Sequence, residues 1–210
     1  MLLLSDPRVA AVPVEDSGEP LVDLRAVPGL SIDHRKADPR GDWVRLREGV
    51  ADRVREAQTL LPRGMRLLIV EGYRPAALQS RYFDDHRSTV QRDQPTWSAR
   101  QVAVEASKHV SPVEVAPHPC GAAVDLTLCV DGAELDLGTP LNATPQQSAG
   151  ACFTGAPNVS APARERRRVM AEALEAVGLV NYPPEWWHWS YGDRYWAAAT
   201  GASHALYGPL

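Results

Sequence analysis

Hydrophobic positions recur along the chain with two periods. Between residues 42 and 61, Val44, Leu46, Val50, Val54, Ala57 and Leu61 fall mostly at three- and four-residue steps with Arg and Glu between them. This pattern predicts an amphipathic helix over 42–61, closed by Pro62-Arg63-Gly64. The run Arg66-Leu67-Leu68-Ile69-Val70-Glu71 is apolar enough for a central strand. Residues 76–92 read as helical. Ser98-Ala99-Arg100-Gln101 fits a capping box and starts a helix reaching about Lys108. A second buried strand runs through Val124, Leu126 and Leu128 to Val130. Asp131-Gly132 is a hairpin signal, with Leu135 and Leu137 expected on the return strand. Ser160 caps a further helix with Pro162 in its first turn, a buried stripe of Val169, Met170, Ala173, Leu174 and Val177, and Gly178 at its end.

Between these elements the pattern loosens. Residues 1–41 carry many Pro, Gly and Asp and read as an irregular segment packed on the domain, with a short strand at Leu21-Val22-Asp23-Leu24. Val22 and Leu24 are candidates to line a pocket. Residues 138–158 read as a long loop of the kind that forms binding lids. The tail from Trp196 to Leu210 is small and mixed and reads as a packed cap.

Composition narrows the class. The 210 residues are 44% apolar and 23% charged, as in an ordinary globular protein with one proper core. The net charge of −4, with no basic cluster among exposed aromatics, gives nucleic-acid binding little support. Met1-Leu2-Leu3-Leu4 stops too soon for a signal segment, and no run approaches the roughly 18 apolar residues of a membrane span. Three cysteines, Cys120, Cys129 and Cys152, form no CxxC pair, and this odd, sparse count points to a reducing cytoplasm.

Chemistry concentrates in two stretches. Ala116-Pro117-His118-Pro119-Cys120-Gly121-Ala122-Ala123-Val124-Asp125 reads as a rigid loop running into the buried strand. Alternation places Val124, Leu126 and Leu128 on one face and Ala123, Asp125 and Thr127 on the other. A buried carboxylate needs a counter-charge or a cation, and the strand offers Asp125 and His118 to one metal. Downstream, Pro183-Pro184-Glu185-Trp186-Trp187-His188-Trp189 favours a strand over a long helix. A strand from Trp186 puts Trp186, His188 and Ser190 on one face. His188 is either a third ligand beside a free carboxylate at Glu185, as in a catalytic zinc site, or a satisfied histidine on an aromatic core strand. Ser107-Lys108-His109 has no carboxylate seven residues on, so His109 reads as a helix-end histidine. Cys120 reads as a loop-lining thiol rather than a ligand, since a fourth protein ligand closes the metal's open position. Cys129 and Cys152 read as small core residues.

Together, His118-x6-Asp125, Glu185-x-x-His188, Gly72-Tyr73-Arg74-Pro75 and Leu137-Gly138-Thr139-Pro140 resemble, in order, the VanX-type D-alanyl-D-alanine dipeptidases. The matching pieces span about residues 66 to 191. These are zinc enzymes on the fold shared with D,D-carboxypeptidases and hedgehog signalling domains. The resemblance implies an α+β fold over 1–210 as a single domain, with a central, mainly antiparallel sheet and flanking helices. It implies one Zn²⁺ per chain on His118, Asp125 and His188, with Glu185 as general base and Arg74 holding the oxyanion. The implied activity is hydrolysis of D-Ala-D-Ala or a close dipeptide, the substrate being the expected partner. A D,D-carboxypeptidase on longer peptidoglycan peptides and a non-catalytic zinc module are the alternatives.

The sequence departs from the family at two positions. Ala116 stands where the family usually has serine, and Asn142 stands where the dipeptidases carry an aspartate for the substrate's ammonium group. Both remain candidate substrate contacts, as do Tyr73 and Trp187. Glu134, Asp136 or an N-terminal residue is the expected substitute for the missing charge.

Overall fold

A computed structural model describes residues 1–107 and 109–210 of the chain. Its helices are α1 (Pro7–Ala10), α2 (Glu48–Leu60), α3 (Ala76–Asp93), α4 (Ala99–Ala106), α5 (Ala161–Ala176) and α6 (Arg194–Thr200). Its strands are β1 (Leu21–Asp23), β2 (Ser31–Ile32), β3 (Arg45–Arg47), β4 (Met65–Glu71), β5 (Ala123–Val130), β6 (Ala133–Glu134), β7 (Val180–Asn181) and β8 (His188–Ser190). The main sheet runs β2-β4-β5-β8-β7, with β6 beside β5. Every pairing in it is antiparallel except β2 with β4. The α+β architecture and the mainly antiparallel sheet expected from the sequence are thus present.

The core lies where β4 and β5 meet α2 and α5. Leu67, Ile69, Val124, Leu126 and Leu128 pack against Val50, Val54, Met170 and Leu174, all buried. Seven of the eight residues of β5 are buried. Both of its faces are covered, so its apolar run is nearly continuous.

Several segments differ from the pattern. The expected helix over 42–61 begins only at Glu48; Asp42–Val44 is a single 3₁₀ turn and Arg45–Arg47 is a strand. The cause is tertiary, because β3 pairs with β1 in the register Leu21↔Arg47, Val22↔Leu46 and Asp23↔Arg45. Residues 1–41 are less irregular than expected, since they supply β1 and the edge strand β2. Leu24 is buried in the core and Val22 packs against it. The return strand stops at Glu134. The Leu135 N–H still donates to the Leu128 carbonyl, but Asp136 Oδ1 accepts from the Gly138 N–H at 2.7 Å and turns the chain away. Capping of α4 by Ser98 and Gln101 is present. Lys108, its expected end, lies outside the described residues.

The segment 138–158 is not a loose lid. Arg167 of α5 is buried and donates to the carbonyls of Leu137, Ala151 and Phe153 at 2.7–2.8 Å. Leu141, Cys152 and Ala156 within the segment are buried. The tail also packs: Arg47 Nη2 donates to the Gly208 carbonyl and to Asp16, joining the two ends of the chain.

Candidate metal centre and active site

Strand register builds the centre. Asp125 lies opposite Glu71 on one side and opposite His188 on the other. Directly opposed residues project to the same face, so Glu71, Asp125 and His188 form one row across three strands. His118 reaches that row from a 3₁₀ turn at His118–Cys120, which ends on Gly121 at φ +66°. A side chain there would strike Leu21 as well as strain the backbone. Arg47 fixes the turn, its N–H donating to the Gly121 carbonyl at 2.8 Å and its Nε to the Cys120 carbonyl at 2.9 Å.

The His118 imidazole is oriented from behind. His118 Nδ1 donates to the Gly72 carbonyl at 2.7 Å, which points Nε2 at Asp125. His118 Nε2 lies 3.4 Å, and His188 Nδ1 3.0 Å, from Asp125 Oδ1. The three ligand atoms lie within 4.8 Å of one another, and all three residues are buried. A tetrahedral zinc with bonds of about 2.0–2.1 Å separates its ligand atoms by about 3.3 Å. The N, O, N set therefore fits zinc in spacing and in chemistry. Burial alone would raise the Asp125 carboxyl, but the adjacent His118 and His188 hold it well below the usual range.

Glu185 comes from the turn before β8. Its N–H donates to the Tyr182 carbonyl, and the His188 N–H donates back to the Glu185 carbonyl at 3.1 Å. These turn bonds are why β8 starts at His188 and not at Trp186. His188 and Ser190 share a face as expected, while Trp186 lies in the turn. Glu185 Oε2 lies 3.9 Å from His188 Nδ1, and its side chain keeps 27% of its surface open. Burial pushes its carboxyl up to about 7, with Asp125 adding to the rise and His188 opposing it.

Arg74 is held from two sides. Its Nε and Nη2 donate to the two Glu71 carboxylate oxygens, each at 2.7 Å, and its Nη1 donates to Gln79 Oε1 at 2.7 Å. Three of its five N–H donors are thereby used, and two remain for a ligand. Glu71 is buried, yet the guanidinium offsets that burial and keeps its carboxyl low. Gln79 is buried too, and its amide donates to the Ser111 carbonyl at 2.7 Å. Sequence reasoning missed Glu71 and Gln79. Glu71 carried one signal, an acidic residue ending an apolar strand just before Gly72. Gln79 carried none.

These groups open onto one cleft of about 330 Å³, lined by Arg74, His118, Asp125, Glu185 and His188 on the sheet side. Ala116 and Asn142 also line it. Tyr73 does not; it lines a neighbouring cavity that shares Lys36, Arg74 and Tyr82 with the cleft. Trp187 is corrected outright. It is 1% exposed and packs in the core, because the turn after Pro184 sends its ring to the opposite face from His188. His109 follows the end of α4, where its N–H donates to the Ala106 carbonyl at 3.1 Å, and it lines the cleft with its ring against His86 at 5.7 Å. Cys120 is a buried thiol, pushed far up by desolvation and outside the ligand group. Glu134 is paired with Arg35, and Asp136 is committed to Gly138, so neither supplies a charge to the cleft.

A sheet presenting His, Asp and His to one cation, with a free carboxylate and an anchored arginine beside it, defines a zinc metallopeptidase. The chain belongs to the D-Ala-D-Ala dipeptidase family of M15 peptidases, whose model matches residues 34–204. A D-alanyl-D-alanine dipeptidase from Synechocystis sp. is 31% identical, over 89% of this chain and 87% of its own. Among solved structures, VanYB in complex with D-alanine-D-alanine superposes with a TM-score of 0.51 at 16% identity, covering 93% of this chain and 94% of that one. The LdcB LD-carboxypeptidase gives 0.50 at 18% identity, covering 90% and 76%. At these identities the likeness is one of fold.

Proposed function

We propose that this enzyme hydrolyses D-Ala-D-Ala or a closely related small dipeptide. The observation that carries the reading is the convergence of three ligand atoms with Glu185 and Arg74 in a cleft of about 330 Å³. That volume is at the low end of small-molecule sites, about 300–1,000 Å³, and accommodates a dipeptide.

His118, Asp125 and His188 would hold zinc, which supplies a Lewis acid that acidifies water and polarises the scissile carbonyl. Glu185, whose carboxylate lies beside the ligand group and opens onto the cleft, takes the attacking water's proton and hands it to the leaving amine. The two uncommitted Arg74 donors bind the developing oxyanion. Ala116 and Asn142 line the substrate cavity. We place the enzyme in the cytoplasm on its sparse, unpaired cysteines; no helix among the described residues is long and apolar enough to cross a membrane.

The test is amino-acid release from D-Ala-D-Ala, L-Ala-D-Ala, L-Ala-L-Ala and N-acetyl-D-Ala-D-Ala by zinc-loaded protein. Rapid D,D-selective release is expected. Glu185→Ala is expected to keep its zinc and lose turnover by about 10²–10⁴-fold or more. Full activity in that variant would remove Glu185 from the mechanism.

A further inference from the structure

The cleft has a second wall, and it holds a charge that the chemistry above leaves unused. Gln79, Tyr82 and Asp85 follow one another at three-residue steps on α3, and all three line the cleft. Three carboxylates face this space: Asp125, Glu185 and Asp85. The first two belong to the metal and the proton transfer. The Asp85 carboxylate has no ion pair or side-chain hydrogen bond among the described residues; only its backbone carbonyl is used, accepting from the Thr89 hydroxyl. The other charged groups of the wall are cationic. Lys36 lies 3.7 Å from Glu71 and against the Tyr82 ring.

We infer that Asp85 binds the free ammonium group of the substrate and makes the enzyme select peptides with an unblocked amino end. The inference rests on the dipeptidase reading, since a free dipeptide brings an ammonium one residue away from its scissile carbonyl. Ala116 and Asn142, the other candidates near that end, carry no charge. The spacing is suitable. Gln79 grips Arg74 at the catalytic end, and Asp85 lies six residues along the helix, an axial rise of about 9 Å. An arginine-to-carbonyl hydrogen bond, one residue of backbone and an ammonium-to-carboxylate hydrogen bond together span about the same length. Asp85 is exposed, so water solvates its carboxylate before a substrate binds.

The experiment compares free and N-acetylated D-Ala-D-Ala on zinc-loaded wild type, Asp85→Asn and Asp85→Glu. Calorimetric binding of both ligands to Glu185→Ala, with and without Asp85→Asn, runs beside the kinetics. In Asp85→Asn the kcat/KM ratio of free to acetylated substrate is expected to fall about tenfold, the scale of one partly screened charged hydrogen bond. Asp85→Glu should recover part of it, and the calorimetric affinity for the free dipeptide should fall in step. An unchanged ratio, or an equal loss on both substrates, overturns the role of Asp85 while leaving the dipeptidase reading intact. No turnover and no binding of either ligand by the Asp85-containing proteins overturns that reading, and the ammonium site with it.

Discussion

The two walls of the cleft are built on opposite plans. The sheet wall, made of β4, β5, β8 and the His118 turn, buries nearly every side chain and gives each functional group a fixed partner: Gly72 for His118, Glu71 for Arg74, Asp125 for His188. The helical wall is α3 with the segment 109–116 beside it. Of the 18 residues of α3 only Gln79 is buried. Reaction chemistry needs donors held to fractions of an ångström, and a packed sheet supplies that. Recognition of a small, flexible zwitterion tolerates side chains that water solvates between turnovers. The walls are also unequal in what a substitution should do.

The largest effect belongs to the sheet wall. Asp125→Ala removes one ligand and leaves two buried imidazoles without their shared counter-charge. Zinc content by atomic emission is expected to fall to background after dialysis, with turnover falling alongside it. Retained stoichiometric zinc would mean that the helical wall contributes a ligand, and the contrast between the walls would fail.

Next comes the Glu71–Arg74 pair. Arg74→Ala is expected to reduce kcat by about 10²–10³-fold. It also leaves the buried Glu71 carboxylate with Lys36 at 3.7 Å as its one remaining cation, at a cost of up to about 3 kcal/mol in urea unfolding. Adding Glu71→Gln should restore most of the stability and none of the rate. Recovery of both would make Arg74 a structural residue only. The sign with pH follows from Glu71, whose carboxyl is lowered from 4.5 in the folded protein. Burial opposes that shift and the Arg74 hydrogen bonds drive it. The pair's contribution is therefore complete above about pH 4.5 and is lost as pH falls through the native value. In Glu71→Gln this part of the acid limb of the stability curve should flatten.

The unequal walls also explain what the sequence disclosed. His118, Asp125, Glu185 and His188 stand in short, fixed spacings, because two strand ends and two tight turns carry them. Such spacings are legible in one dimension. Glu71 acts through its register with Asp125 and showed only as an acidic end to an apolar strand, while Gln79 acts through a side-chain bond to Arg74 and had no local signature. Trp187 was misassigned because neighbours in sequence go to opposite faces of an extended chain. Arg45–Arg47 imitated a helix start, since three residues of alternation fit either period until the partner strand β1 is known. The long segment 138–158 looked like a lid because the arginine that ties it down sits at 167, in another element.

Gln79 joins the walls, so its loss should read between them. Gln79→Ala removes the acceptor from Arg74 and leaves the buried Ser111 carbonyl without its donor. A loss of about 1–3 kcal/mol is expected, with KM for the dipeptide rising more than kcat falls. A fall in kcat alone would place Gln79 with the chemistry rather than with recognition.

The smallest effect is expected farthest from the metal, at the start of α4. Ser98 Oγ accepts from the Gln101 N–H at 3.4 Å, a long cap bond, while Gln101 Oε1 accepts from the Ser98 N–H at 2.9 Å. Ser98→Ala removes this long bond and the 2.7 Å donation from the Ser98 hydroxyl to Gln101 Oε1, and keeps the backbone half of the box. Its cost should sit at the low end for a helix cap, about 0.5 kcal/mol, with kcat unchanged. If α4 merely buttresses α3, unfolding midpoint and KM should shift slightly together. A large rise in KM with unchanged stability would show that the helical wall is tuned as tightly as the sheet, and the division between them would no longer hold.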